Sequence, residues 1–333
     1  MLQLKNAVLH IIDKNHGIII NSMKLLDLSD NDINLYVLKH IEKALRDNES
    51  VESQVNTESP FYKLWGEYKV GSISIIDLSV KICDIYSEEL LKSNIVQTID
   101  FVFCEFSNNN INYIGFLLLP NNTCYTHFVN QADGVISNNL SKFYAVLPST
   151  MQKTFGFAFF NIDAEKVEYV DKKVFIDGHD KYVISEVIFK CKKEVSSKEA
   201  LKIVKDIVNE IAENKGRNSS AAIAKARLYL SDNAEVSDKL DTENLSQAVF
   251  PDDEECVESF KKEIKARGIS PVINVRQDFA LRESRKHKIK TDTGIEIIVP
   301  TEFFNNRDYI EFNNNIDGTV SISIKNIGKI INK

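Results

Sequence analysis

The segment 99–119 constrains this chain most. Residues 99–106 and 113–119 have the composition and alternation of strands, and Asn108, Asn109 and Asn110 separate them, so a strand, a polar turn and a strand are expected. Phe116, Leu117, Leu118 and Leu119 are apolar in succession, which places the second strand in the middle of a sheet, covered on both faces. Residues 125–130, 145–147, 155–162 and 182–190 are expected to extend the meander. The order is antiparallel, because the connections are too short for helical crossovers.

Upstream, 3–12 and 17–21 read as short strands around an Asn15-His16-Gly17 turn. Residues 29–47 predict a helix capped by Ser29, with Ile33, Val37, Ile41 and Leu45 at helical spacing. The polar stretch 48–59 reads as a mobile loop, and 74–92 as a second helix with Ile75, Leu78, Ile82, Ile85 and Leu90 on one stripe. At Ser196 the period changes again. Ser196 and Glu199 stand at capping-box spacing, ahead of Leu201, Val204, Val208 and Ile211 on one helical face. Another helix is expected over 221–230, and a further one after Pro251, ending near Ala266 and Gly268. The fold class is therefore α+β: N-terminal helices with an antiparallel sheet, then a helical segment and a C-terminal β-hairpin unit. A boundary near 190–196 divides it into domains 1–193 and 194–333, a size at which each can bury its own core.

The C-terminal region carries the charge pattern that matters for function. Between 276 and 290 stand Arg276, Arg282, Arg285, Lys286, Lys288 and Lys290 against Asp278 and Glu283, a local charge of 6 − 2 = +4 in a chain whose formal net charge is −7. The remainder therefore carries −7 − 4 = −11. Residues 287–291 and 295–299 flank Asp292-Thr293-Gly294, a three-residue hairpin turn with Gly at the left-handed position. That closure pairs Lys290 with Glu296 and Ile289 with Ile297. It sends Ile289, Ile295, Ile297 and Val299 to the core and Lys288 and Lys290 outward. A short helical turn over 301–305 and a second hairpin, 309–312 with 319–325 joined through 313–318, complete the chain.

Just before the basic stretch, 231–260 holds ten acids and one base, a local −9. Helix starts and solvated faces account for it, with a protein-docking face as the alternative. The would-be recognition helix of a winged helix, 252–266, begins with four carboxylates that would repel phosphates, so groove reading is not expected. Lys261, Lys262, Lys265 and Arg267 at its far end are candidates to join a basic surface. The bland reading of 276–290 is a solubilising edge strand protected by lysines.

Motifs of chemistry are not evident. No phosphate loop, dinucleotide fingerprint or HExxH is present, and the six His are dispersed. His127 reads as a strand residue. His179, among Asp177, Gly178 and Asp180, fits turn chemistry without a metal. Asp292, Glu296 and Lys290 have the composition of a metal-dependent nuclease site, but the register makes Lys290 and Glu296 a cross-strand ion pair. The five Cys are scattered and odd in number, which suits buried reduced thiols. The N-terminus lacks the layout of a signal peptide and no apolar run reaches membrane-spanning length, so a cytoplasmic protein without membrane contact is expected. No cofactor or metal is expected.

Three stretches, YVISEVIFKCKKEVSSKEALKIVKDIV (182–208), KHKIKTDTGIEIIVPTEFF (286–304) and YIEFNNNIDGTVSISIKNIGKI (309–330), resemble the nucleoid-associated NdpA (YejK) family, in a form similar to that of Gram-positive bacteria. The resemblance implies the bacterial cytoplasm, association with the nucleoid, DNA binding and no catalytic activity; base-specific readout is not indicated by the residues, so double-stranded DNA bound without sequence preference is the expected partner. The resemblance carries no defined contact residues, so the basic residues named above rest on charge alone. A protein partner through 231–260 and a homodimer are further expectations.

Overall fold

A computed structural model describes residues 1–95, 98–132, 134–191, 194–304, 306, 308–315 and 319–329. The chain forms two compact units, Met1–Glu194 and Val195–Lys333. In chain order the first unit contains β1 (Leu2–Asp13), β2 (Ile18–Ile20), α1 (Asn31–Leu45), β3 (Val51–Gln54), α2 (Pro60–Lys69), α3 (Ile75–Lys92), β4 (Ile99–Asn108) and β5 (Ile111–Pro120). It continues with β6 (Asn122–Ala132), β7 (Val135–Val146), β8 (Gly156–Asn161), β9 (Lys166–Val170), β10 (Lys173–Ile176), β11 (His179–Tyr182) and a π-helical turn, Val183–Ile188.

Among the described residues, seven strands form one antiparallel sheet in the order β2-β1-β4-β5-β8-β9-β3. The wholly apolar β5 is its central strand, as the sequence required. Asn109 and Asn110 both take positive φ, 48° and 67°, in the β4–β5 turn, a conformation Asn tolerates better than most residues. Successive residues of β5 serve opposite layers. Phe116 and Leu118 pack with Phe101, Phe160, Phe61 and Trp65 under α2 and α3. Leu117 and Leu119 pack with Phe157, Phe159, Val37 and Ile41 under α1. The unit is thus a sheet with helices on both faces, which is why β5 has no polar side. Gly115 permits the close approach of β8: a Cβ there would stand 1.9 Å from the carbonyl oxygen of Ala158.

Several local expectations are revised. The cap of α1 is Asp30, whose Oδ1 accepts the Asp32 and Ile33 N–H groups; Ser29 is itself held by Asp27. The stretch 48–59 is not simply loop, since β3 pairs with β9 at the sheet edge and Ser59 caps α2 with Pro60 in its first turn. The α3 expectation holds, with Ser74 and Asp77 completing a capping box. Among the described residues, 125–130 and 145–147 do not join the meander, and β6 and β7 pair only with each other. Residues 182–190 do not form a strand. Asp171 Oδ2 accepts both the N–H (2.7 Å) and the hydroxyl (2.9 Å) of Ser185, and Glu186 accepts the N–H of Tyr182. These local side-chain bonds take donors a ladder would need, and the π turn follows. Asp177 and Gly178 do form a turn, joining β10 to β11. Cys124 is exposed, unlike buried Cys83, Cys104 and Cys256.

The second unit contains α4 (Ser197–Asn214), α5 (Ser219–Ala234), β12 (Lys239–Asp241), α6 (Thr242–Val249), α7 (Glu254–Ala266), β13 (Val272–Asn274), α8 (Gln277–Ser284), β14 (Lys286–Lys290), β15 (Glu296–Pro300), α9 (Thr301–Phe304), β16 (Ile310–Asn314) and β17 (Val320–Ile324). Ser196 caps α4 through the Glu199 N–H, and Leu201, Val204, Val208 and Ile211 are buried as their spacing required. They pack with Leu230, Leu245, Val249, Phe260 and Ile264 in a helical core that also takes in Phe279 and Ala280 of α8. Asn218 caps α5, which starts two residues before the expected 221. The connection 316–318 of the last hairpin lies outside the described residues. Among the described residues no helix is long and apolar enough to cross a membrane.

Candidate nucleic-acid interface

The basic stretch is a helix, α8, followed by the expected hairpin. Phe279, Ala280 and Ser284 give α8 one buried face at helical spacing, and Arg282 lies on the face away from it. The C-terminal end of α8 is fixed from several sides. Lys205 Nζ donates to Glu283 Oε2 at 2.9 Å and Arg227 Nη1 donates to the Glu283 carbonyl at 2.5 Å. Thr301 donates its hydroxyl to the Ser284 carbonyl and its N–H to the Arg285 carbonyl. Partial burial pushes the Glu283 carboxyl up, but the Lys205 hydrogen bond and the nearby Lys205, Arg227 and Arg282 charges outweigh it, and the net shift is downward. Sequence could not reveal Lys205 and Arg227 as positioning residues, because they meet Glu283 across 78 and 56 positions.

The hairpin has the expected register. Lys290 faces Glu296, Ile289 faces Ile297, and the Thr291 N–H donates to the Ile295 carbonyl. Gly294 takes φ 88° in the turn, where a Cβ would be strained. Two details differ. The ion pair is diagonal, Lys288 Nζ to Glu296 at 2.8 Å, rather than Lys290 to Glu296. The apolar face is not core: Ile289, Ile297 and Val299 are half-buried and Ile295 is 60% exposed. A single short hairpin resting on small helices has too little surface over it to bury that face.

The six candidate cations are thus placed unequally. Arg276 is the N-terminal flank of α8 and pairs with Asp278 at 3.3 Å. Arg282, one turn on, lies 3.9 Å from the other oxygen of the same carboxylate. Arg285 links α8 to β14 and is exposed, as is Lys290, and among the described residues neither makes an ion pair. Lys288 is exposed beside Glu296. Lys286 belongs to β14 by its backbone, and its side chain lies outside the described residues. Lys288 and Lys290 alternate along β14 and therefore share one face, about 6.7 Å apart. Arg282, Arg285 and the β14 lysines follow one another along a single segment.

The bases at the end of α7 divide: Lys262 and Lys265 are exposed and, among the described residues, make no ion pair, whereas Lys261 and Arg267 are engaged. Lys261 pairs with Glu243 and Glu258, and Arg267 with Glu210 and Glu263. Several acids of the −9 block have structural work: Asp241 caps α6, Asp253 caps α7 and pairs with Arg217, and Glu255 pairs with Lys215. Asp292 Oδ1 accepts the N–H of its neighbour Thr293 in the hairpin turn. Among the described residues no three His, Cys, Asp or Glu side chains converge as a metal site would require.

The chain is thus a two-unit α+β protein with six cations between 276 and 290. The family described as nucleoid-associated protein YejK matches residues 8–332, nearly the whole chain, and the chain belongs to that family. No curated protein matches it.

Proposed function

We propose that the protein is a non-enzymatic component of the bacterial nucleoid that binds double-stranded DNA without sequence preference, through backbone phosphates. The contacts are assigned to Arg282, Arg285, Lys286, Lys288 and Lys290, with Arg276 at the margin because it is engaged with Asp278. The observation that carries this reading is the continuity of Arg282, Arg285 and the β14 lysine face in a chain of the nucleoid-associated family. In a chain of formal charge −7 phosphate attraction has to be local, and this stretch supplies it. A bacterial, cytoplasmic location on the nucleoid accompanies the proposal.

Replacing the five with Glu is expected to abolish retention of a duplex in a gel-shift assay. Glu at 288 and 290 would face Glu296 and strain the hairpin. A second variant with Gln at all five positions separates charge from folding and is expected to lose most of the binding too. Undiminished binding by the folded Gln variant would remove the assignment. Recruitment by a protein partner through 231–260 has less support, since Asp241, Asp253 and Glu255 are engaged within the unit. A hydrolytic role for Asp292, Glu296 and Lys290 has least, since Glu296 is committed to Lys288 and Asp292 to the turn.

A further inference from the structure

Among the described residues, the β6–β7 ribbon is a long element of the first unit that adds nothing to its cores, and its strands pair only with each other, from Asn122↔Val146 to Ala132↔Val135. Large apolar side chains stand exposed on both faces. Tyr125 (67%), Val129 (60%), Ile136 (66%) and Leu140 (76%) lie on one side by register, and Phe128 (41%) and Phe143 (53%) on the other. An isolated two-stranded ribbon is marginal in water, and unpaired edges with exposed apolar faces invite association. We propose that this ribbon is a self-association arm, and that its partner is the same ribbon of a second copy of this chain.

Charge selects the partner. Residues 122–146 contain one acid, Asp133, and one base, Lys142, for a net of zero in a chain of −7. Two copies that repel each other overall can meet here without bringing like charges together. Lys142 is also occupied, its Nζ 4.7 Å from the ring centre of Tyr144 and 5.8 Å from that of Tyr125. A DNA-wrapping arm would need several free cations, and this one offers a single engaged lysine. Size also fits. A strand of twelve residues is about 40 Å long and two strands are about 10 Å wide, so one face of each ribbon presents roughly 400 Å², the scale of a weak, concentration-dependent association. Identical arms pairing about a two-fold axis give the commonest closed oligomer.

Sedimentation of the full-length protein between about 1 and about 100 µM tests this, in the range where such an area gives measurable association. A dimer is expected. The Ile136→Asp/Leu140→Asp variant should weaken dimerisation by about 100-fold or more, because it puts charge into the buried face. Because these side chains lie outside the cores, Trp65 fluorescence should report an unchanged fold. Ile136→Ser/Leu140→Ser keeps the test valid if the acidic variant misfolds. Hydrogen exchange of the arm amides should slow as concentration rises. A wild-type monomer throughout, or folded variants that dimerise like wild type, would overturn the proposal. So would arm protection independent of concentration, which would mean cover from within the chain. Loss of DNA binding by monomeric arm variants would assign the arm to nucleic acid and overturn it equally.

Discussion

Replacing Asp171 by Asn should stabilise the first unit at alkaline pH and hardly at all in acid. Burial raises the Asp171 carboxyl from its ordinary 3.8 to about 7; the Ser185 hydrogen bonds oppose that rise and the Glu186 charge adds to it. Between those values the folded state holds a proton that the unfolded state has released. Stability from this group is therefore greatest below pH 3.8, falls as pH rises, and levels off above about 7. From pH 5 to 8.5 the two values give a loss of about 2.7 kcal/mol. The residue is partly exposed, so water screens the charge and about 1–2 kcal/mol is expected. Asn keeps an oxygen for both Ser185 donors and carries no charge. Urea titrations followed by Trp65, the sole tryptophan and buried in the first unit, report that unit alone. The difference between variant and wild type should grow from pH 5 to 8.5. A difference that stays flat, or a variant less stable at pH 8.5, would refute the reasoning.

His10 should show the opposite slope. Its Nδ1 accepts the Ser22 N–H and its Nε2 meets the Ser79 hydroxyl, and burial lowers it from 6.5 to about 4 against the opposing Asp84 charge. The unfolded chain binds the proton first, so stability should rise from pH 4 to 6.5, by at most about 3 kcal/mol, and a His10→Gln variant should flatten that rise. Gly115→Ala should cost more than about 3 kcal/mol, since its Cβ would collide with the Ala158 backbone oxygen 1.9 Å away; a loss under about 1 kcal/mol in the same urea titration would contradict the packing.

How much was legible follows from which interactions are local. The central place of β5 was readable because four successive apolar residues leave no polar face, and α3 and α4 because caps and stripes lie within a few residues. The π turn was not, since the apolar 183–188 reads equally as a strand until Asp171, fourteen positions away, takes the Ser185 donors. Nor was α8, whose eight residues are too short for a clear period and are fixed by Lys205, Arg227 and Thr301 from elsewhere in the unit. At the candidate site the hairpin register was set by the Asp292-Thr293-Gly294 turn. The diagonal choice of Lys288 by Glu296 depends on side-chain reach, which register does not fix. The separation of β6 and β7 from the sheet was hidden because 125–130 carries an ordinary strand composition.

The most direct test of the DNA-binding account is the salt dependence of duplex affinity for the purified protein. If all five assigned cations reach phosphates, log K against log salt should have a slope near −4.5. If Lys288 stays with Glu296 and Arg282 with Asp278, contacts by the remaining three, Arg285, Lys286 and Lys290, should give a slope near −2.7. A slope between those values that flattens toward zero in the five-Gln variant is the predicted result. Absence of duplex binding at low salt, or an affinity indifferent to salt, would contradict the account.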